Sequence, residues 1–205
     1  MSHQSVSVKA LRPTQIAVGM KLVKAKRRGL HARLREPQEL VDFILDNPMR
    51  VVAGPKTKLY VIDHHHLAFA LLEEGFKTAP VVLVADLSTL PVADFWAQME
   101  AKGWLYPFDG DGRKQTAAAI PRDIEDMQDD PYRSLAGFVR QEGGFLKSPA
   151  PYAEFAWADY YRPLIARKLL KRDFDKAVRM ARKLAGKPEA AHLPGFIADQ
   201  PKRAR

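Results

Sequence analysis

The stretch that decides the fold is Tyr60–Ala70, which reads Tyr-Val-Ile-Asp-His-His-His-Leu-Ala-Phe-Ala. Its first three residues favour a strand and the residues from Leu67 onward favour a helix, so the polar run Asp63–His66 marks a strand-to-helix corner. Asp63 is a residue type that commonly caps a helix start. The first N–H groups of a helix lack partners within the helix, and the helix dipole favours anions there. The corner is therefore typical of a phosphate-binding site, and the histidines add hydrogen-bond donors to it.

Two other interpretations of the corner stay open. The histidines can be partly buried beside a capped helix start, in which case no ligand is needed. Alternatively, Asp63, His64 and His66 can supply metal ligands, but the chain lacks HEXXH-type spacing and adjacent residues seldom converge on one ion. We therefore predict no metal site.

The signals around the corner complete a small α/β unit. Four strands are predicted there: Val6–Leu11, Arg50–Ala53, Leu59–Ile62 and Pro80–Ala85. With the intervening helices they give the order β-α-α-β-β-α-β over residues 6–86. From Leu90 onward the signals are almost entirely helical. We predict an α+β fold with a small mixed-sheet domain over residues 1–88. A helical extension over residues 89–205 follows it, with a loose tail after about residue 188.

The last predicted helix, Leu164–Ala185, is long and amphipathic. At about 100° per residue, one of its sides collects five basic residues, namely Lys168, Arg172, Lys176, Arg179 and Lys183. Such a stripe indicates a solvated face, a face docked on acidic residues, or a phosphate-binding face.

Charge is distributed in three blocks along the 205 residues. Residues 1–35 carry +9, residues 36–161 carry −9 and residues 162–205 carry +9, for a formal net charge of +9. This layout indicates either contact between the blocks or an anionic partner for the basic ends.

The composition excludes several classes of protein. The chain has no cysteine, so thiol catalysis, disulfides and cysteine-based zinc sites are excluded. Its start lacks the apolar run of a signal peptide, and no apolar segment approaches the roughly 20 residues of a membrane span. We therefore expect a soluble, cytoplasmic protein with no membrane partner.

The corner resembles the phosphate-binding turn of the ParB/sulfiredoxin-like superfamily. The run Asp63–Ala70 is similar to its signature of a strand, an Asp/Gly turn with polar residues, and a helix containing Ala. His64 stands where many relatives have Gly, and His66 where they have Arg. Further segments are similar to the ParB-like nuclease family over nearly the whole chain: Ala10–Gln15, Asp130–Gly137 and Glu154–Ala158.

The resemblance implies a nucleotide, with or without Mg²⁺, or another phosphorylated small molecule as ligand. His64, His65 and His66 would contact its phosphates, together with Gln15 and with Lys24 from the basic N-terminal block. Asp63 and His65 are the candidate catalytic residues for phosphoryl transfer or for nuclease-like phosphodiester hydrolysis.

Other functions stay open from sequence. Because the nearest match to the glutamate base of related serine kinases is Gln15, which cannot take a proton at neutral pH, kinase activity is not implied. The basic ends are also compatible with nucleic-acid binding. The third alternative is a non-catalytic interaction module whose helical half is a partner or homo-oligomer surface.

Overall fold

The computed structural model describes residues 4–198, and this part of the chain contains two sheets and eight α-helices. In chain order, the strands are β1 (Gln4–Ser7), β2 (Leu11–Arg12), β3 (Ala17–Val18), β4 (Met49–Gly54), β5 (Lys58–Val61), β6 (Thr78–Asp86) and β7 (Gln128–Asp129). The helices are α1 (Met20–Arg33), α2 (Pro37–Asp46), α3 (His65–Glu73), α4 (Val92–Ala101), α5 (Pro131–Gln141), α6 (Ala153–Tyr161), α7 (Arg167–Arg172) and α8 (Phe174–Ala185). A mixed sheet followed by a helical part confirms the predicted α+β class.

β4 is the central strand of a five-stranded mixed sheet with the order β1-β6-β4-β5-β2. It pairs antiparallel with β5, with Val51 opposite Val61, and parallel with β6. Val51 and Val61 are buried in the same apolar cluster as Leu67 and Leu71 of α3. Because all residues from His65 to Leu71 are buried, α3 is a core helix and not a surface helix.

The first predicted strand, Val6–Leu11, is wrong as a single element. A 3-10 turn at Val8–Ala10 divides it, and the two parts become opposite edges of the sheet. β1 pairs antiparallel with β6, whereas β2 pairs parallel with β5. The chain crosses the sheet between them, which brings the residues after β2 close to the carboxyl end of β5.

The described chain divides into two compact units between Asp129 and Asp130. The prediction divided it after residue 88. Segment 89–129 belongs to the first unit because Phe95 and Met99 of α4 pack with Val52 of the sheet in one cluster. β7 also pairs in parallel with β3, which ties the end of this segment to the beginning of the unit.

Helices α5 to α8 form the second unit around Trp157. This side chain is completely buried and stacks on Phe145, with ring centroids 4.3 Å apart. Its Nε1–H donates to the carbonyl of Pro194 at 2.8 Å. At the start of α5, Asp130 accepts from the N–H of Tyr132 and pairs with Arg162 at 2.9 Å.

The predicted loose tail is packed as far as Phe196. Ala190 and Leu193 are buried in the helical core, and the N–H of Leu146 donates to the carbonyl of Gly195. The apolar residues after Pro188 explain this packing, since they cover the Trp157 region. Residues 199–205, the rest of the predicted tail, lie outside the described residues.

The predicted continuous helix Leu164–Ala185 is also wrong, because the chain breaks at Asp173. This residue has φ −152° and ψ 82°, and its carboxylate accepts from the N–H of Lys176 at 2.9 Å. An aspartate that bonds a backbone N–H three residues later starts a new helix. The basic stripe therefore belongs to two helices, α7 and α8.

Candidate functional site

The corner between β5 and α3 is a tight turn at Asp63 and His64. His64 is the residue that precedes the helix, in the left-handed conformation with φ 67°, and it makes no side-chain capping bond. Asp63 was expected to cap α3, but its Oδ1 accepts from the N–H of His64 at 2.7 Å and so stabilises the turn itself. A left-handed position favours glycine.

His65 holds the loop that follows β2. Its side chain is 3% exposed, and its Nε2 accepts from the N–H of Thr14 at 3.2 Å. The hydroxyl of Thr14 donates to the carbonyl of Val61 at 2.7 Å. Because a backbone N–H can only donate, Nε2 carries no proton and the ring proton lies on Nδ1. His65 therefore fixes Thr14 to the first turn of α3.

His66 makes the equivalent bond to the start of α1. It is 9% exposed, and its Nε2 accepts from the N–H of Gly19 at 3.0 Å. Gly19 immediately precedes α1, and the next N–H, of Met20, donates to Asp129 at 2.9 Å. The N-terminal ends of α1 and α3, both of positive dipole, are thus joined through one imidazole.

Gln15 lies in the loop that the two histidines hold. It is 8% exposed, and its Oε1 is buried without a hydrogen-bond partner. A buried acceptor without a donor destabilises the protein by about 1–3 kcal/mol, so such atoms are rare and call for an explanation. A bound ligand whose hydroxyl or N–H group donates to Oε1 would provide the missing partner.

The other predicted site residues are more accessible. The side chain of Asp63 is 57% exposed and that of His64 is 29% exposed, with 3.8 Å between Asp63 Oδ2 and His64 Nε2. Lys24 is exposed on α1, and among the described residues no hydrogen bond or ion pair joins it to the corner. The structure therefore brings Asp63, the three histidines and Gln15 to one region, while Lys24 makes no contact there.

Several bases of the N-terminal block are paired with acids of the middle block. Arg12 forms an ion pair with Asp123, and Arg27 Nε lies 2.5 Å from Glu74. Burial raises the pKa of Tyr60 on β5, and the nearby Arg12 opposes that shift. Contact between charge blocks, one of the two expected explanations, thus accounts for part of the N-terminal charge.

The corner presents groups that attract anions. It combines two helix starts with the side chain of His64, while the Nε2 atoms of His65 and His66 are engaged by backbone N–H groups. Within residues 4–198, no group of three or more His, Asp or Glu side chains is arranged to hold a metal ion. In the same range, no helix is long and apolar enough to cross a membrane.

Comparison with known proteins agrees with the resemblance seen in the sequence. The family described as "Putative ParB-like nuclease" matches residues 4–163. Since the match covers more than half of the chain, the protein belongs to this ParB-like nuclease family. The catalytic and phosphate-binding roles assigned to individual residues stay predictions.

Two solved structures are similar to different degrees. Protein Atu1540 from Agrobacterium tumefaciens is 41% identical, with a TM-score of 0.87, over 98% of this chain and 100% of that chain. Truncated ParB from Caulobacter crescentus, solved with the centromeric parS site, is 15% identical, with a TM-score of 0.30, over 90% of this chain and 98% of that chain. The second similarity is too low to support any inference. No curated protein matches the chain.

Sequence reasoning missed Thr14, Gly19 and Asp129 as parts of the site. Thr14 and His65 are 51 residues apart, and Gly19 and His66 are 47 apart, so no local pattern links them. The available signals were Gly19 directly before a helix and the Thr14-Gln15 pair directly after a short strand.

Proposed function

We propose that the β5–α3 corner binds the phosphate group of a nucleotide or of another phosphorylated small molecule. The observation that carries the proposal is the buried, unpartnered Oε1 of Gln15 in a loop held over two helix starts. Rotating the side-chain amide would present its NH₂ to the same space, so Gln15 can receive either a ligand hydroxyl or a phosphate oxygen.

The positions of the helices support an anionic group in this ligand. α1 and α3 start side by side, and the N-terminal end of a helix attracts anions. His64, partly exposed at the turn, adds a side-chain donor. His66 itself is engaged as the acceptor for the N–H of Gly19 at the start of α1.

Mg²⁺ enters this proposal only together with a nucleotide. The described residues form no metal site of their own, whereas Mg²⁺ is commonly held by substrate phosphates and one or two carboxylates. Asp63 is the exposed carboxylate of the corner and would be that ligand. When bound, the ion would neutralise phosphate charge.

The enzymatic form of the proposal is phosphoryl transfer or phosphodiester hydrolysis with Asp63 and His65. We rank binding before catalysis, because Nε2 of His65 is already bonded to Thr14. A strand-cleavage assay should compare the wild type with His65→Gln, which keeps an acceptor near the position of Nε2. Cleavage by the wild type alone supports catalysis, and equal cleavage by both indicates a contaminating nuclease.

Replacing Gln15 with leucine is expected to weaken ligand binding and yet stabilise the unliganded protein. A lost neutral hydrogen bond corresponds to about 0.5–1.5 kcal/mol, or roughly a tenfold increase in Kd. The same change removes a buried unpaired acceptor, so thermal stability without ligand should rise. Calorimetric titration with ATP, ADP and CTP, with and without Mg²⁺, measures the first effect.

Two further variants sharpen this titration. His64→Gly removes the side chain at a position where glycine is conformationally favoured, so weaker binding would come from the lost imidazole and not from misfolding. Gln38→Leu changes an exposed glutamine on α2 that donates to Asp42, and as the matched control it should leave Kd unchanged. A wild-type protein that is folded but binds none of the nucleotides would contradict the nucleotide proposal.

A further inference from the structure

The second unit carries a concentration of positive charge that the proposed phosphate site does not use. Residues 167–187 contain nine Lys and Arg against two Asp, a formal charge of +7. All nine basic side chains are exposed. We define the α7–α8 basic surface by five of them: Lys168, Arg172, Lys176, Arg179 and Lys183.

The break at Asp173 leaves the α7–α8 basic surface continuous. Lys168 and Arg172 of α7 line the same cavity as Lys176 of α8, with a volume of about 320 Å³. Asp173 also lines it, but its carboxylate accepts from the N–H of Lys176 and so serves the start of α8. Basic side chains from both helices therefore line one cavity.

α8 extends this surface away from the cavity. At about 100° per residue, Lys176, Arg179 and Lys183 fall within about 60° of one another. They lie opposite the side of α8 that buries Ala177 and Ala181. At about 1.5 Å per residue, the three charges extend over about 10 Å along the helix.

Within residues 4–198, the ion pairs described for the second unit lie away from this surface. Asp130, Asp159 and Glu154 form ion pairs with Arg133, Arg140 and Arg162. Among the described residues, none of the five bases of the α7–α8 basic surface makes an ion pair. The N-terminal block differs, because Arg12 and Arg27 are paired.

The side chains point to a duplex as the partner. Duplex DNA carries about one negative charge per 1.7 Å of its axis, so it offers a row of phosphates to an extended row of Lys and Arg side chains. Proteins that bind single strands stack bases on aromatic side chains. Residues 167–187 contain one aromatic, Phe174, and it packs edge-on against Phe138. They contain no Asn or Gln, so the surface lacks the amides that read adenine.

We propose that the α7–α8 basic surface binds the phosphate backbone of duplex DNA without sequence specificity. This binding is separate from the phosphate site at the β5–α3 corner and does not depend on it. With five phosphate contacts, a plot of log binding constant against log salt concentration should have a slope of about −4 to −5.

The test is fluorescence anisotropy of the full chain with a labelled duplex of about 20 base pairs, between about 50 and 200 mM salt. The variant Lys176→Gln/Arg179→Gln/Lys183→Gln should reduce the slope to about −2 and the affinity at about 100 mM salt by roughly a hundredfold or more. The control, Lys56→Gln/Lys58→Gln/Lys77→Gln, removes the same charge from exposed positions of the first unit. It should keep the slope within about one of the wild-type value.

Three results would overturn the proposal. The first is an equal loss of DNA affinity in the two triple variants, and the second is a wild-type slope near zero. The third is a Lys176→Gln/Arg179→Gln/Lys183→Gln variant that loses binding to phosphatidylserine vesicles but keeps its DNA affinity, which would indicate a membrane surface as the partner. Nucleotide titration separates the two sites, because the Lys176→Gln/Arg179→Gln/Lys183→Gln variant should retain any nucleotide affinity of the wild type. Conversely, Gln15→Leu should retain DNA affinity.

Discussion

Replacing Trp157 with alanine is expected to lower the free energy of unfolding of the second unit by about 3–5 kcal/mol. The side chain is 0% exposed, stacks on Phe145 and contacts the rings of Tyr160 and Tyr161. Its Nε1–H holds the carbonyl of Pro194, so the same change releases the packed segment after Pro188. Urea unfolding followed by far-ultraviolet circular dichroism, which reports helix content, measures the effect.

Trp104→Ala is the matched control for this prediction. Trp104 is partly buried in the first unit, beside Lys102, and its removal leaves a smaller cavity. We expect a clearly smaller loss of stability and no change in the unfolding of α5 to α8. Equal unfolding midpoints for the two alanine variants would contradict the central role of Trp157.

The second large effect is expected from the double variant His65→Leu/His66→Leu. Each leucine removes the acceptor of a buried N–H, that of Thr14 or that of Gly19. A buried donor without a partner destabilises a protein by about 1–3 kcal/mol, so the free energy of unfolding of the double variant should fall by about 2–6 kcal/mol. The loss is expected without any ligand, since both histidines hold protein backbone.

Two measurements distinguish this anchoring role from a role in ligand binding. Hydrogen exchange of the Thr14 and Gly19 amides should become much faster in the double leucine variant. The double variant His65→Gln/His66→Gln keeps acceptors near the Nε2 positions and should recover part of the stability. A double leucine variant that is as stable as the wild type, with both amides still protected, would show that these bonds contribute nothing.

Elements with strong local signals were predicted well from the sequence. The strands predicted at Arg50–Ala53 and Leu59–Ile62 lie within one residue of the bounds of β4 and β5. The break at Asp173 was missed because the apolar pattern continues through it, although aspartate is a favoured cap. The spacing of apolar residues carries no information about a hydrogen bond between one side chain and the backbone.

The candidate site was predicted by position but not by its internal bonds. The run Asp63–His66 pointed to the corner, and the resemblance pointed to Gln15. The bonds from Thr14 and Gly19 to the histidines were missed because they depend on β2 pairing beside β5. That pairing follows from the turn that divides the first predicted strand, which alternation of apolar residues alone does not reveal.

Asp129 and Asp130 are neighbours in sequence, yet each carboxylate stabilises a helix of a different unit. Asp129 accepts from the first N–H of α1, and Asp130 accepts from the start of α5. Cutting the chain at their shared peptide bond would leave both carboxylates with the helices they serve. This bond is therefore the position at which evolution or engineering can recombine the two units with other proteins without removing a helix cap.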